Sequence, residues 1–189
     1  MSIDLEERLL CALQQGCLVE LHRDPEDWSR CQVGYVDAVA DGSVRIRSVT
    51  PQGDVLGYEV YALSVVVGVV LDDGKCDYLG KIARVVGKRS QIFQEVESWP
   101  KSGIRGALRE ALQRQCVVTV GRTHADKESL CGLIRAMTDD SVSIQIVDQY
   151  GEDDSLATVA IEGITAVHFG TEDEQLLDYL RASYASEGI

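Results

Sequence analysis

The sequence predicts a mainly β protein with added helices, made of two tandem five-stranded small barrels, each preceded by a short α-helix. Three observations predict this class: an internal repeat, short alternating apolar segments between turn residues, and an apolar helical stripe ahead of each copy. The 189 residues, 45% of them hydrophobic, suit one medium domain or two small ones. We expect a first repeat in 1–85, a linker in 86–103, and a second repeat with a C-terminal helix in 104–189.

The repeat emerges when the chain is aligned with itself. At an offset of 98, eight of twenty positions from Gly34 to Gly53 are identical to those from Gly132 to Gly151. Upstream, an offset of 99 matches five of eleven positions between 11–21 and 110–120. The one-residue slip falls in the polar loops HRDPEDWSR and GRTHADKES, where insertions are tolerated. The two copies are therefore predicted to share one fold.

Each copy opens with a helix, whose apolar stripe recurs every fourth residue. The stripes are Leu5, Leu9 and Leu13 after an N-cap at Asp4, and Ile104, Leu108 and Leu112. A third helix is predicted around Tyr78 to Val86. A capping box at 171–174 (TEDE) predicts a fourth helix at the C-terminus.

Five short strands follow the first helix of each copy. The first strand covers Cys17 to Leu21, or Cys116 to Val120. The second contains Gly34 or Gly132, and a glycine inside a strand often marks a bend or bulge. An Asp-containing turn then leads into the third strand, because Asp-Gly between alternating runs predicts a hairpin. A further turn at 52–53, or 150–151, precedes the last two strands.

The net charge of −13 constrains the partners. Nucleic-acid binders usually carry a basic surface that neutralises phosphates, so the average field disfavours nucleic acid without excluding it. The acidic N-terminus has no signal-peptide pattern, and no apolar run is long enough to span a bilayer. We expect a cytoplasmic protein that does not contact membranes.

Catalytic and metal motifs are missing from the sequence. His22, His124 and His168 lack a matching nucleophile, so we expect surface or strand-end histidines and no enzyme activity. We predict neither a cofactor nor a metal site. The six cysteines form no CxxC pair, and Cys17 and Cys31 recur as Cys116 and Cys131 at related places. Small apolar thiols are the favoured interpretation, with a disulfide or zinc site as the alternative.

A basic segment at 75–114 holds nine Lys or Arg against four Asp or Glu. It either lies against the acidic barrels, which we favour, or contacts nucleic acid or an acidic protein. The candidate binding residues in and beside it are Lys81, Arg84, Lys88, Arg89, Arg105, Arg109 and Trp99. Trp99, like Trp28, either caps a barrel or anchors a partner.

The predicted order of elements resembles the Sm/LSm-like family. It has a helix followed by five bent strands, with a glycine in strand two and an Asp-containing turn before strand three. The segment SLATVAIEGITAVHF at 155–169 resembles the second Sm motif, with Glu162 where that family has Arg. The turn positions equivalent to the Sm loop are Asp41, Ser43, Asp139 and Ser141. The resemblance implies an Sm-like fold, but the family's RNA-binding residues are not retained.

These observations predict a non-enzymatic protein-interaction or scaffold module built from two Sm-like barrels. Its partner is either another protein or a second copy, bound through edge strands, because an unpaired strand edge invites pairing. The alternative is an RNA-binding Sm-like protein that uses the central basic segment.

Overall fold

The computed structural model describes residues 5–72, 77–89, 102–122 and 129–187, except for the side chains of 77, 88, 89 and 185–187. These residues contain ten strands and four α-helices, which confirms the mainly β class with added helices. The chain divides into two compact units, Met1–Gly103 and Ile104–Ile189, and each is described by itself. None of the described helices has the length and apolar character needed to cross a bilayer.

Unit 1 is an antiparallel sheet with a helix at each end of its sequence. Its elements are α1 (Leu5–Gln15), β1 (Leu18–His22), β2 (Cys31–Ala40), β3 (Ser43–Val49), β4 (Val55–Ala62), a 3₁₀ turn (Leu63–Val65), β5 (Gly68–Leu71) and α2 (Asp77–Arg89). The spatial order of the strands is β5-β1-β2-β3-β4. Helix α2 continues past residue 85, so 86–89 are helical, although the sequence assigns them to the linker.

Unit 2 repeats this plan. Its elements are α3 (Ile104–Arg114), β6 (Val117–Arg122), β7 (Leu130–Met137), β8 (Ser141–Val147), β9 (Asp153–Ala160), a 3₁₀ turn (Ile161–Gly163), β10 (Ile164–Phe169) and α4 (Glu172–Glu187). The strand order β10-β6-β7-β8-β9 matches that of unit 1, position by position. Among the described strands no ladder joins β4 to β5, or β9 to β10, so closure of either sheet into a barrel stays a prediction.

The strand registers follow the sequence repeat. Gly34 lies opposite Ser48, and Gly132 lies opposite Ile146, which is the same pair at an offset of 98. In the preceding ladders, Leu18 pairs with Tyr35 and Val117 pairs with Leu133. The first strands of the two units are therefore related by an offset of 99 residues, and the second strands by an offset of 98. The one-residue slip lies in the loop that connects these strands. The predicted duplication is confirmed at the level of individual residue pairs.

The repeated glycine of the second strand allows two backbones to approach closely. A Cβ on Gly34 would lie 2.5 Å from the Arg47 carbonyl oxygen, and one on Gly132 would lie 2.0 Å from that of Gln145. The ladder irregularity comes just beyond, between Val36 and Ala38 in unit 1. The glycine is thus needed for backbone contact, and the bulge is a separate feature.

Helices bury apolar stripes against the sheets. In unit 1, Leu79 and Ile82 of α2 pack with Leu18, Val33 and Val49. In unit 2, α3 buries Ile104, Ala107, Leu108 and Ala111, which confirms most of its predicted stripe. Complete burial of a leucine contributes roughly 1.5–3 kcal/mol, so these contacts hold each helix in place.

One of the two hydrogen bonds of the predicted capping box of α4 is confirmed. The backbone amide of Thr171 donates to Glu174 Oε2 over 3.0 Å, and the Thr171 hydroxyl donates to the same oxygen. Thr119 of β6 donates to Glu174 Oε1 over 2.6 Å, and Glu174 is only 2% exposed. Farther along α4, Asp178 accepts from the backbone amide of Val117 over 2.9 Å. These polar contacts fix α4 on the first strand of its own sheet.

Candidate functional site

The turn positions that the sequence comparison likens to the Sm loop lie beside the 3₁₀ turn of their own unit. Asp41 has φ 51° and Gly42 has φ 66°, as a type I′ hairpin turn requires, which confirms the predicted Asp-Gly turn. Leu63 N–H donates to the Gly42 carbonyl over 2.8 Å. The turn also buries Ser43, whose hydroxyl donates to the Asp41 carbonyl over 3.4 Å.

The corresponding turn of unit 2 differs in its polar contacts. The Ser141 amide donates to Thr138 Oγ1 over 3.0 Å, and the Ile161 amide donates to the Asp140 carbonyl over 2.9 Å. Arg105 of α3 donates to the carbonyl of Asp139, so this guanidinium holds the turn. Both turns are acidic and make internal hydrogen bonds.

The candidate basic residues belong to two helices in different units. Lys81 and Arg84 are exposed on α2, and Arg109 is exposed on α3. Arg105 is also exposed, although it holds the turn described above. Lys88 and Arg89 end α2, but their side chains lie outside the described residues, as does the whole of Trp99. Binding by these residues stays a prediction.

A buried polar cluster in unit 1 escaped sequence reasoning. Arg45, 2% exposed, donates to Asp37 and lies 4.9 Å from the centre of the Tyr58 ring. Tyr61 donates to Glu59 and carries the Arg23 guanidinium 4.3 Å above its ring. Burial raises the pKa of Tyr61 well above 10, and the neighbouring Glu59 charge adds to this. Each charged group therefore has a polar or aromatic partner, which suits a structural role.

Unit 2 carries no such cluster at the same places. The residues displaced by 98 from Arg45, Glu59 and Tyr61 are Ser143, Ala157 and Val159. Because the same strands form without these polar groups, the cluster is an addition to the shared fold. A comparison of the two repeats could have revealed it, because these charged and aromatic residues of β3 and β4 have no counterparts in the second repeat.

A depression of about 350 Å³ in unit 2 is lined by Gly151, Glu152, Asp153, Arg181 and Tyr184. Arg181 spans it and donates to the Gly151 carbonyl over 3.1 Å and to Asp153 Oδ1 over 2.5 Å. The guanidinium and the carboxylate compensate each other, so this arrangement connects α4 to the turn before β9.

A second group missed by sequence reasoning lies on neighbouring strands of unit 1: Glu20, His22 and Cys31. Glu20 and His22 are two apart on β1 and therefore share a face, and Cys31 lies opposite His22 in the β1–β2 ladder. Their ligand atoms all lie within 4.8 Å of one another. His22 Nε2 and Glu20 Oε2 are 3.5 Å apart.

His22 is confirmed as a strand-end residue, but it is buried. It is 3% exposed, and neither ring nitrogen makes a hydrogen bond within the described part of the chain. Leaving a buried polar atom unsatisfied costs roughly 1–3 kcal/mol. Its ring contacts Trp28, with the ring centres 4.3 Å apart. An imidazole held in this way needs a physical explanation.

The cysteines of the two units are only partly equivalent. Cys17 and Cys116 precede equivalent strands, but Cys131 pairs with Thr119 and so takes the place of Val33, not of Cys31. Cys31 and Cys131 therefore lie at related places on the second strand of each unit, but two positions apart in the ladder. All five described cysteines are free and half-buried. Burial raises the pKa of Cys31, and the Glu20 carboxylate adds to this.

The chain matches no protein-family model, no curated protein and no solved structure.

Proposed function

We propose that this protein is a non-enzymatic scaffold module made of two Sm-like barrels, which associates with a second copy of itself through the edge strand β9. Support for the Sm-like form comes from the strand order, the shared bulge and the 3₁₀ turn before the last strand of each unit. The proposed self-association depends on the edge strand β9.

Strand β9 offers a long backbone edge. It has eight residues, contains no proline or lysine, and pairs with β8 but with no other described strand of unit 2. Most of its side chains are exposed, and Leu156 at its centre is 64% exposed. Natural proteins usually block such edges with charge, proline or a short strand. The central part of β9 lacks these devices, so a second strand can add to it.

Antiparallel pairing of two β9 strands about their centre suits the sequence of the strand. With Leu156 opposite Leu156 of the other copy, Asp153 lies opposite Val159 and Asp154 lies opposite Thr158. The acidic residues therefore avoid each other, and the apolar residues meet near a two-fold axis. The net charge of −13 on each copy still opposes association, so added salt strengthens the dimer by screening.

The test is the mass in solution, measured by light scattering after size exclusion at low and at high salt. We expect a dimer that is favoured by salt. Leu156→Lys places two like charges directly opposite each other across the seam and raises the dissociation constant by roughly 5- to 30-fold, or about 1–2 kcal/mol. Leu176→Lys is the matched control, because Leu176 is 56% exposed and belongs to α4, not to β9. A monomer at every concentration and salt would refute the proposal.

RNA binding through the basic helices is the alternative, and it rests on the exposed Arg84 and Arg109. It predicts single-stranded RNA binding that weakens steeply with salt, opposite to the dimer, because bound cations are released from the phosphates. Reversing the charges of Lys88 and Arg89 should abolish this binding. Fluorescence anisotropy with labelled RNA at low salt measures this binding, and the absence of binding under these conditions excludes the alternative.

A further inference from the structure

We propose that Glu20, His22 and Cys31 form a binding site for one zinc ion on the β1–β2 ladder. The three residues supply a carboxylate, an imidazole and a thiolate, which are the ligand types that zinc takes in proteins. Zinc is preferred over calcium or magnesium, because those ions take oxygen ligands and would leave the nitrogen and sulfur unused.

The geometry of the ladder brings the three donors together before any metal arrives. A tetrahedral zinc ion with bonds of about 2.0–2.3 Å has ligand atoms roughly 3.3–3.8 Å apart. The His22 Nε2 to Glu20 Oε2 distance is already 3.5 Å, and the widest separation in the group is no more than 4.8 Å. Binding then requires the widest pair to close by about 1 Å, which side-chain rotation can supply.

The buried imidazole points independently to a ligand. His22 is 3% exposed, and both of its ring nitrogens lack a hydrogen bond in the described structure. A metal ion bound to one ring nitrogen would give a partner to one of these two nitrogen atoms. The same ion would balance the Glu20 carboxylate and a Cys31 thiolate, so two negative charges and one divalent cation form a neutral group.

The second repeat shows that the fold does not need these three residues. In the matching ladder, Thr119 takes the place of Glu20 and Gly121 takes the place of His22. Extending the β6–β7 register by one pair places Ser129 where unit 1 has Cys31. Unit 2 therefore forms the same strands without the donor set, which separates the donors of unit 1 from the requirements of folding.

The loop that joins β1 to β2 covers one side of the site. Asp27 accepts from the Ser29 amide over 3.0 Å, and Asp24 accepts from the Glu26 amide over 2.9 Å, so the loop is held by local turns. It places the Trp28 ring against His22 and against Gly68, where a Cβ would lie 2.7 Å from the ring. Cys31 is only half-buried, which leaves a route for the ion. Three protein ligands leave one coordination position for water or for a donor from a partner.

The experiment uses the full chain, purified with chelator, and Co²⁺ as the spectroscopic substitute for zinc. Trp99→Phe is introduced so that Trp28 is the only remaining tryptophan. We expect one equivalent of Co²⁺ to produce a thiolate-to-cobalt charge-transfer band in the near ultraviolet and to quench Trp28 fluorescence. Zinc, added afterwards, should displace the cobalt and reverse both signals.

Cys31→Ser is the decisive variant, and Cys131→Ser, on a strand of unit 2, is the matched control. Cys31→Ser should remove the charge-transfer band and weaken binding by more than the roughly 10- to 100-fold typical of outer-shell changes. Cys131→Ser should leave both signals unchanged. Glu20→Thr, which introduces the residue of unit 2, should weaken binding without loss of the fold, as judged by circular dichroism. Binding that is absent at stoichiometric metal, or that is unaffected by Cys31→Ser, would overturn the proposal.

Discussion

Replacing Gly132 by alanine tests whether the two backbones of β7 and β8 really approach as closely as the fold requires. The added Cβ would lie 2.0 Å from the Gln145 carbonyl oxygen and 2.8 Å from its carbonyl carbon. Both atoms belong to the backbone of a strand paired on both sides, so they cannot move aside like the end of a flexible side chain. The strands must separate locally, and ladder hydrogen bonds near Gly132 are lost.

The expected cost combines two effects. Overpacking of a tightly packed region costs roughly 1–3 kcal/mol, and each lost ladder hydrogen bond adds about 1 kcal/mol. We therefore expect the free energy of unfolding of unit 2 to fall by about 3 kcal/mol. For a unit of this size, 1 kcal/mol corresponds to roughly 4–8 °C, so its melting temperature should fall by roughly 12–24 °C. Scanning calorimetry of the full chain measures this shift.

Gly163→Ala is the matched control in the same unit, because a Cβ there meets no atom within 4 Å and the φ angle is not positive. It should change the melting temperature by less than about 3 °C. Gly34→Ala should act on unit 1 more mildly than Gly132→Ala acts on unit 2, since its closest contact is 2.5 Å. A Gly132→Ala protein that melts like the control would refute the reasoning.

Three further substitutions or conditions have defined outcomes. Gly80→Ala on α2 meets no atom within 4 Å and should stabilise unit 1 by about 0.5–1 kcal/mol in chemical denaturation, because alanine favours the helix. Glu174→Ala removes the buried carboxylate that caps α4 and should cost about 1–3 kcal/mol, whereas Ala at the exposed Glu172 should cost little in the same measurement. Burial raises the pKa of Cys116 to about 11, so alkylation of this thiol, followed by mass spectrometry, should accelerate roughly tenfold per pH unit between pH 8 and 10. Because the pKa in the folded protein exceeds the ordinary thiol value of 9.0, the stability that the protonated thiol provides is complete below pH 9 and is lost as the pH rises towards 11.

Much of the fold could be predicted because the sequence contains the same pattern twice. The identities from Gly34 to Gly53 anticipated a shared pair of strands, and the change of offset located the inserted residue in the loop before them. Local chemistry was equally informative at the ends of elements, as the Asp41-Gly42 turn and the Thr171 capping box show. These features depend on neighbours in sequence, so a single chain suffices to recognise them.

The candidate metal site could not be predicted in the same way. Its three donors come from two strands, and only the register that pairs His22 with Cys31 brings them to one place. The spacing of Glu20, His22 and Cys31 in the sequence matches no ligand motif. The burial of His22 depends on the loop that carries Trp28, which periodicity does not reveal.

The sequence by itself determined that this protein is a duplicated, mainly β fold, where its turns and helix caps lie, and which residues of one copy match those of the other. These properties depend on neighbouring residues or on periodic patterns, and the same patterns occur in both copies. Only the tertiary structure decided which unmatched polar residues meet, because contacts across strands depend on register and burial. A one-residue change in register moves every side chain to the opposite face, so Glu20, His22 and Cys31 form a group only in the register that β1 and β2 adopt.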